Sequence, residues 1–233
     1  SRMLTSWANW WKATKASFWN KRGIAMKNIV VLVSGGGTNL QALIDAEQRG
    51  EIPGGKISCV ISSKPGVFAL ERAQKAGIPH RVVERKAYPD RESYSQAILD
   101  ALNEEKADLV ILAGFMVILD ERVPKAYPNQ ILNVHPALIP SFCGPGFYGL
   151  KVHEAALAAG VKLTGATVHF VSEVCDGGPI ILQGAVPVKN GDTPETLQKR
   201  VMEEVEWKLL PKAAALFCQG KITVKNGIAT VHE

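Results

Sequence analysis

The sequence predicts an α/β protein, a single domain around a doubly wound, mostly parallel sheet with a C-terminal β-hairpin. Short apolar runs alternate with amphipathic segments for more than 100 residues after Met26. The first of these runs ends in three glycines, and Asn226-Gly227 separates two apolar runs near the C-terminus. Alternation of strands and helices is typical of parallel sheets with helices on both faces, and Asn-Gly favours a tight hairpin turn.

Each strand is predicted from a short apolar run bounded by turn-forming residues, the pattern of a strand buried on both faces. The predicted strands, in chain order, are residues 28–34, 56–63, 80–84, 108–115, 130–135, 166–171 and 179–188, followed by the hairpin 222–231.

Each helix is predicted from apolar residues at a spacing near 3.6. The predicted helices are residues 39–50, 67–77, 91–105, 119–127, 150–160 and 194–218. We expect Thr38 to cap the first of them and Gly50 to end it, because these residue types favour the two helix ends.

The first 25 residues differ from the rest of the chain and predict a leader, residues 1–25, ahead of a domain spanning residues 26–233. The leader holds four of the five tryptophans. Its basic residues are Arg2, Lys12, Lys15, Lys21 and Arg22, and it has no acidic residue. A segment added for expression, a translated upstream region and an amphipathic interfacial helix are all open interpretations.

The formal net charge of +5 resides entirely in that leader. From Met26 onward, the remaining 22 Lys and Arg balance 22 Asp and Glu. A neutral domain lacks the basic surface of nucleic-acid-binding proteins, so no nucleic-acid partner is expected. No apolar run approaches the roughly 18 residues that a membrane span needs, so no membrane partner is expected for residues 26–233.

Cysteine usage predicts a cytoplasmic protein without a metal site. Cys59, Cys143, Cys175 and Cys218 are scattered, without the paired spacing of zinc ligands, and they fit reduced thiols. The histidines do not cluster with other ligands either, so we expect no bound metal.

The segment Ser34–Asn39, between the first strand and the first helix, predicts a phosphate site. Its glycines let backbone N–H groups approach an anion at the positive end of a helix. A dinucleotide is disfavoured because Leu40 stands where the last glycine of that fingerprint belongs.

Asn133 and His135 lie on one face at the carboxyl end of a predicted strand, where ligands bind in open α/β sheets. An amide beside an imidazole suits stabilisation of a developing oxyanion, but a buried polar pair explains the residues equally well. Asp176 precedes two glycines in a loop between strands, where a turn is the simpler interpretation. His169, in the strand before that loop, either orients the loop or belongs to the core.

In combination these motifs resemble the phosphoribosylglycinamide formyltransferase family. The resemblance rests on MKNIVVLVSGGGTNLQALI, LAGFMVIL, NVHPALIP, GATVHFVSEVCDGGPIILQ and GDTPETLQKRVMEEVEWKLLP, and it covers essentially Met26 to the C-terminus. It implies a Rossmann-like formyltransferase fold. It also implies formyl transfer from 10-formyltetrahydrofolate, as co-substrate, to the amine of glycinamide ribonucleotide, in purine biosynthesis.

The resemblance also implies roles for particular residues. Asn133, His135 and Asp176 match the catalytic trio. The implied ribonucleotide contacts are Gly36, Gly37, Thr38, Asn39 and Glu206. The implied folate contacts are Arg91, Met116, Val117, Ile118, Leu119, Ser172, Glu173, Val174 and Cys175. The chain departs from many relatives at Val117, where a basic residue is common, and at Trp207, where a histidine is common.

Three alternatives predict different behaviour. A formyltetrahydrofolate deformylase-like hydrolase would release formate without an acceptor amine, although it is expected to carry an N-terminal regulatory domain. A methionyl-tRNA formyltransferase is expected to carry a further RNA-binding domain. A non-catalytic nucleotide-binding module would bind ligand without transferring a formyl group. Whether the protein is a monomer or a homodimer is open.

Overall fold

A seven-stranded sheet forms the centre of the computed structural model, which describes residues 25–232. The predicted leader therefore lies, except for Ala25, outside the described residues. The strands are β1 (Lys27–Val33), β2 (Gly55–Ser62), β3 (His80–Val82), β4 (Leu109–Leu112), β5 (Ile131–His135), β6 (Leu163–Phe170) and β7 (Ile180–Pro187), and a separate hairpin joins β8 (Ile222–Lys225) to β9 (Ile228–Val231).

The strand order is β3-β2-β1-β4-β5-β6-β7. The first five strands in this order pair in parallel, whereas β6 pairs antiparallel with both β5 and β7. The predicted doubly wound, mostly parallel sheet and the C-terminal hairpin are therefore confirmed. β4 is shorter than predicted because the chain leaves the sheet at Ala113 and turns through Gly114, whose φ is +67°.

The helices connect the strands in the predicted order. They are α1 (Thr38–Gln48), α2 (Phe68–Lys75), α3 (Arg91–Glu104), α4 (Arg122–Ala126), α5 (Leu150–Ala158), α6 (Pro194–Val201) and α7 (Trp207–Cys218).

Two details of the helices differ from the prediction. Thr38 does not cap α1; Gly37 occupies the N-cap position, and no side chain there accepts a capping hydrogen bond. The predicted helix 194–218 is divided by a π-helical turn, Met202–Glu206, between α6 and α7. Such a turn holds one residue more than an α-helical turn, so periodicity alone does not reveal it.

Alternate residues of β1 pack into two different core clusters, one on each face of the sheet. Ile29, Val31 and Val33 belong to a cluster shared with α1 and α7. Val30 and Leu32 belong to a second cluster, shared with α3. Because both faces are covered, β1 is apolar throughout and lies at the centre of the sheet. Its carboxyl end, with those of β2 and β4, is thereby held rigidly.

No helix among residues 25–232 combines the length and apolar character that crossing a membrane requires.

Candidate active site

Strand β5 presents the two polar side chains that the sequence singled out. Asn133 pairs with His169 of β6, and His135 pairs with Thr167, in an antiparallel register. The register places a second imidazole, that of His169, beside the amide of Asn133. From the sequence alone, His169 fits either a loop-orienting or a core role, because strand pairing is not visible in a sequence.

The amide of Asn133 has a fixed orientation. Its Nδ2 donates to Nε2 of His169 across 3.2 Å, while Nδ1 of His169 donates to the carbonyl oxygen of Phe170 at 2.9 Å. The imidazole thus carries its hydrogen on Nδ1. Burial lowers the pKa of His169, which keeps the ring neutral and able to accept. One hydrogen of the Asn133 amide remains for another acceptor.

His135 is buried, and both of its ring nitrogens face a partner. Nε2 donates to the carbonyl oxygen of Phe142 at 2.8 Å, in the loop that follows β5. Nδ1 lies 3.6 Å from Oδ2 of Asp176. That separation is slightly long for a hydrogen bond but short for attraction between a carboxylate and an imidazolium.

Asp176 lies close to two imidazoles, those of His135 and His169, and contacts the loop that contains Gly144. Its backbone adopts φ +52°, a conformation that aspartate tolerates better than most residues. Its Oδ2 accepts a hydrogen bond from the backbone N–H of Gly144 at 2.9 Å, and its Oδ1 lies 3.8 Å from Nε2 of His169. The chain therefore brings together Asn133, His135 and Asp176, which sequence spacing alone did not.

The glycine loop, Gly35–Gly37, leads into the N-terminus of α1. Gly37 has φ +74°, and a Cβ at this position would lie 2.7 Å from the Cβ of Ala69. Only glycine fits both the conformation and the space. The first N–H groups of α1 follow directly after this loop and have no partner within the helix, which favours an anion there.

Asn39 and Glu206 form a buried pair beside the glycine loop. Nδ2 of Asn39 donates to Oε2 of Glu206 at 3.0 Å. Burial raises the pKa of Glu206 to about 7, although the hydrogen bond from Asn39 opposes the rise. The π-helical turn ends at Glu206 and so delivers this carboxyl group from a distant part of the sequence.

The two predicted folate-contacting segments are loops with exposed apolar side chains. Met116 and Ile118 are 57% and 66% exposed, and Val174 is 67% exposed. Val117 and Leu119 instead pack against the core cluster that α3 contributes to, and Val171, just before Ser172, packs against the same cluster. The two segments thus border one core cluster.

Within the second segment, Ser172 accepts a hydrogen bond from the N–H of Val174 at 3.2 Å, which makes a tight turn. Glu173 lies 3.7 Å from Lys125 in an exposed ion pair. Cys175 is an exposed residue of the loop, although neighbouring atoms shield its thiol partly from water. This partial desolvation is the largest cause that raises the pKa of Cys175, followed by the adjacent charge of Asp176.

Arg91 lies apart from the trio. It opens α3 and lines a charged cavity together with Glu92, Gln96, Asp120, Glu121 and Arg122. The predicted contact with a folate therefore depends on whether that substrate reaches past Leu119 to this cavity.

Arg72 is a candidate that the sequence analysis missed. From α2 it donates through Nε to the carbonyl oxygen of Gly36 at 2.8 Å, and through a terminal nitrogen to Oε1 of Gln41 at 3.1 Å. Its guanidinium lies 4.6 Å from the ring centroid of Phe68. A positive charge at the glycine loop favours an anionic ligand there. One lysine or arginine among several in a helical pattern gave no signal in the sequence.

Residues 25–232 contain no group of three or more His, Cys, Asp or Glu arranged to hold a metal ion.

Comparison with known proteins identifies a family. The model of the family described as formyl transferase matches residues 27–214. Phosphoribosylglycinamide formyltransferase of Haemophilus influenzae is 41% identical over 204 residues, which is 88% of this chain and 93% of that protein. The trifunctional purine biosynthetic protein adenosine-3 of Bos taurus is 47% identical over 200 residues, 85% of this chain, but the match spans only 19% of that relative.

Solved structures agree. Glycinamide ribonucleotide transformylase 1 from Symbiobacterium toebii superimposes with a TM-score of 0.84 at 42% identity, covering 89% of this chain and 95% of that one. A formyltetrahydrofolate deformylase from Pseudomonas syringae gives a TM-score of 0.77 at 28% identity, covering 89% of this chain and 66% of that one.

Proposed function

The chain belongs to the formyl transferase family, and we propose that it transfers the formyl group of 10-formyltetrahydrofolate to the amine of glycinamide ribonucleotide in purine biosynthesis. The observation that supports this most directly is the meeting of Asn133, His135 and Asp176 at one place, with a glycine loop that suits a phosphate at the same edge of the sheet, at the carboxyl end of β1. The acceptor follows from the names of relatives that the chain matches over nearly their whole length, and the donor folate follows from the membership of the family.

The proposed reaction begins when the acceptor amine attacks the formyl carbon, which turns the formyl oxygen into an oxyanion. The free hydrogen of the Asn133 amide donates to that oxygen. Such a donor acts without reorganisation because His169 already holds the amide in place. Binding both substrates side by side lowers the barrier further by removing their translational freedom.

His135 supplies the second donor and a route for the proton. In the described conformation its Nε2–H is engaged by the carbonyl oxygen of Phe142. The formyl oxygen therefore competes with this carbonyl oxygen for the same hydrogen. When the substrate binds, the loop after β5 moves so that the hydrogen bond from His135 to Phe142 is released. Asp176 faces the other ring nitrogen, so its carboxylate stabilises an imidazolium while the amine proton passes to the leaving folate nitrogen.

The ribonucleotide phosphate binds at Gly36, Gly37, Thr38 and Asn39, where the α1 N-terminus and the guanidinium of Arg72 both favour negative charge. Glu206 accepts hydrogen bonds from the sugar portion. The carboxyl group of Glu206 is buried and is held in place by Asn39, so a hydroxyl of the ribose that donates to it is held firmly.

The folate occupies the space between the segments Met116–Leu119 and Ser172–Cys175. Exposed apolar side chains in both segments suit an aromatic ring system. Val117 carries no charge, so the contact it makes is apolar or through its backbone. Arg91, at the N-terminus of α3, pairs with the acidic tail of the folate.

The proposed partners are two small molecules, without nucleic acid or membrane, because the charges of residues 26–233 balance. The proposed location is the cytoplasm, because the scattered cysteines fit reduced thiols. The family match begins at residue 27, which supports a transferase domain that starts after the leader, and equal turnover after deletion of residues 1–25 would exclude a catalytic role for them.

An assay of folate release separates the transferase from its main alternative. Purified protein is mixed with 10-formyltetrahydrofolate, with and without glycinamide ribonucleotide, and the released tetrahydrofolate is measured. We expect release only when the ribonucleotide is present, together with formylated product. Release with formate in the absence of acceptor would instead identify a deformylase-like hydrolase, and binding without release would identify a non-catalytic module.

Asn133→Ala provides the corresponding test of the site. Loss of one oxyanion donor costs roughly 100- to 1,000-fold in turnover. A variant that keeps near-normal turnover would remove Asn133 from the mechanism.

A further inference from the structure

Ser34 joins the carboxyl ends of the three adjacent strands β2, β1 and β4. Its hydroxyl oxygen lies 2.6 Å from that of Ser63, which directly follows β2. The same oxygen accepts a hydrogen bond from the backbone N–H of Met116 at 2.9 Å, four residues after β4 ends. Both serines are buried, with 4% and 1% exposure. Ser34 also directly precedes the glycine loop.

The segment Met116–Leu119 forms few other hydrogen bonds. Among residues 25–232, the bond from Met116 to Ser34 is the only hydrogen bond formed by residues 114–119. The next anchor is Asp120, whose N–H donates to the hydroxyl of Ser95 at 2.9 Å. Val117 and Leu119 pack against the core cluster that α3 contributes to, but Met116 and Ile118 are largely exposed, so the backbone at Met116 is held mainly by its hydrogen bond to Ser34.

We propose that Ser34 is a positioning residue that fixes the segment Met116–Leu119 against the glycine loop and thereby determines the affinity for the folate substrate. The inference rests on the proposed function. Ser34 touches neither substrate in this scheme; it acts through the amide of Met116. Without the hydroxyl, the segment has to be ordered when the folate binds, and that loss of conformational freedom weakens binding.

The neighbouring serine provides a matched control. Ser63→Ala removes the bond between the two hydroxyls but leaves the bond from Met116 to Ser34 intact. Ser34→Ala removes both. If the pair served only to stabilise the core, the two variants would behave alike.

The test compares the two variants with the wild type in three measurements. These are KM and kcat for each substrate, calorimetric affinity for tetrahydrofolate, and hydrogen–deuterium exchange at the amide of Met116. For Ser34→Ala we expect KM for the folate to rise about three- to tenfold, the effect of losing one hydrogen bond. Its kcat and its KM for the ribonucleotide should stay within about twofold, and the Met116 amide should exchange faster. For Ser63→Ala all of these should match the wild type.

Equal effects of the two variants, or a rise in KM for the ribonucleotide as large as that for the folate, would overturn the proposal. Should Ser34→Ala fail to fold, Ser34→Cys keeps a small side chain with a weaker hydrogen-bond acceptor, and it should show a smaller loss of folate affinity together with faster exchange at the Met116 amide. A wild type that binds tetrahydrofolate but transfers no formyl group would refute the proposed function while the affinity and exchange measurements still decide the role of Ser34.

Discussion

The amide of Asn133 donates to Nε2 of His169, and this single bond decides which hydrogen of Asn133 faces the reaction space. His169 accepts because its own hydrogen is committed to the carbonyl of Phe170. The neutral state of a buried imidazole is therefore part of the proposed oxyanion site, although His169 itself contacts no substrate.

Replacing His169 by Phe should free the Asn133 amide to rotate. We expect kcat to fall about tenfold, comparable to the loss of one hydrogen bond, with KM for both substrates little changed. His169→Gln, whose amide oxygen still accepts, should recover part of the loss. Steady-state kinetics with a melting curve for each variant makes the comparison; equal kcat values for the Phe and Gln variants would contradict the positioning role.

Gly37→Ala should damage both stability and ribonucleotide binding. The left-handed backbone alone costs roughly 1–2 kcal/mol for a residue with a side chain, and the new Cβ would meet Ala69. Urea denaturation and KM for the ribonucleotide measure the two effects. Gly35→Ala is the control, because a Cβ there has nothing within 4 Å; an equally large loss in the control would show that any change in this loop is harmful.

Glu206 should lower the stability of the protein as the pH rises. Its pKa is about 7 in the folded protein and 4.5 ordinarily, so between these values the folded state binds more protons than the unfolded state. Its contribution is therefore complete below pH 4.5 and is lost up to pH 7, by about 3 kcal/mol at 1.36 kcal/mol per unit. Glu206→Gln should lose this contribution, so the difference in unfolding free energy between the variant and the wild type should change between pH 5 and pH 8, while KM for the ribonucleotide rises. Urea titrations of both proteins at the two pH values test it, and a difference that stays constant would refute the assignment.

His153 should raise the stability of the protein as the pH rises, the opposite of the effect of Glu206. It is fully buried in α5, neither ring nitrogen has a hydrogen-bond partner among the described residues, and burial lowers its pKa from 6.5 to about 4. The unfolded state then binds the extra proton, so stability is complete above pH 6.5 and falls by about 3 kcal/mol toward pH 4.

The two slopes overlap and offset each other in the wild type, so single variants reveal them. His153→Leu replaces a buried imidazole without hydrogen-bond partners by an apolar side chain, and the stability of this variant should decrease as the pH rises from 5 to 7. Glu206→Gln should show the reverse trend. Parallel pH profiles for the two variants would exclude one of the two groups as the source.

The sequence was sufficient for the fold and for the shared face of Asn133 and His135, because both depend on local periodicity and strand alternation. The approach of Asp176 to His135 depends on how a loop folds back over the sheet, which no local pattern encodes. The pairing of Asn133 with His169 could not be predicted either, because it depends on the register between two strands. Arg72 reaches the glycine loop from another βα unit, so its contact also arises only on packing.

The π-helical turn Met202–Glu206 holds one residue more than an α-helical turn, so the position of the Glu206 carboxyl group depends on the number of residues in this turn. An α-helix advances about 100° and 1.5 Å per residue, so deleting one residue before Glu206 would restore an ordinary helix and swing one end by that amount relative to the other. Either α7 would lose its packing on the sheet, or the carboxyl group would turn away from Asn39. Substitutions at the exposed Glu203 and Glu204 are tolerable in principle, whereas a change in the residue count of the turn is not.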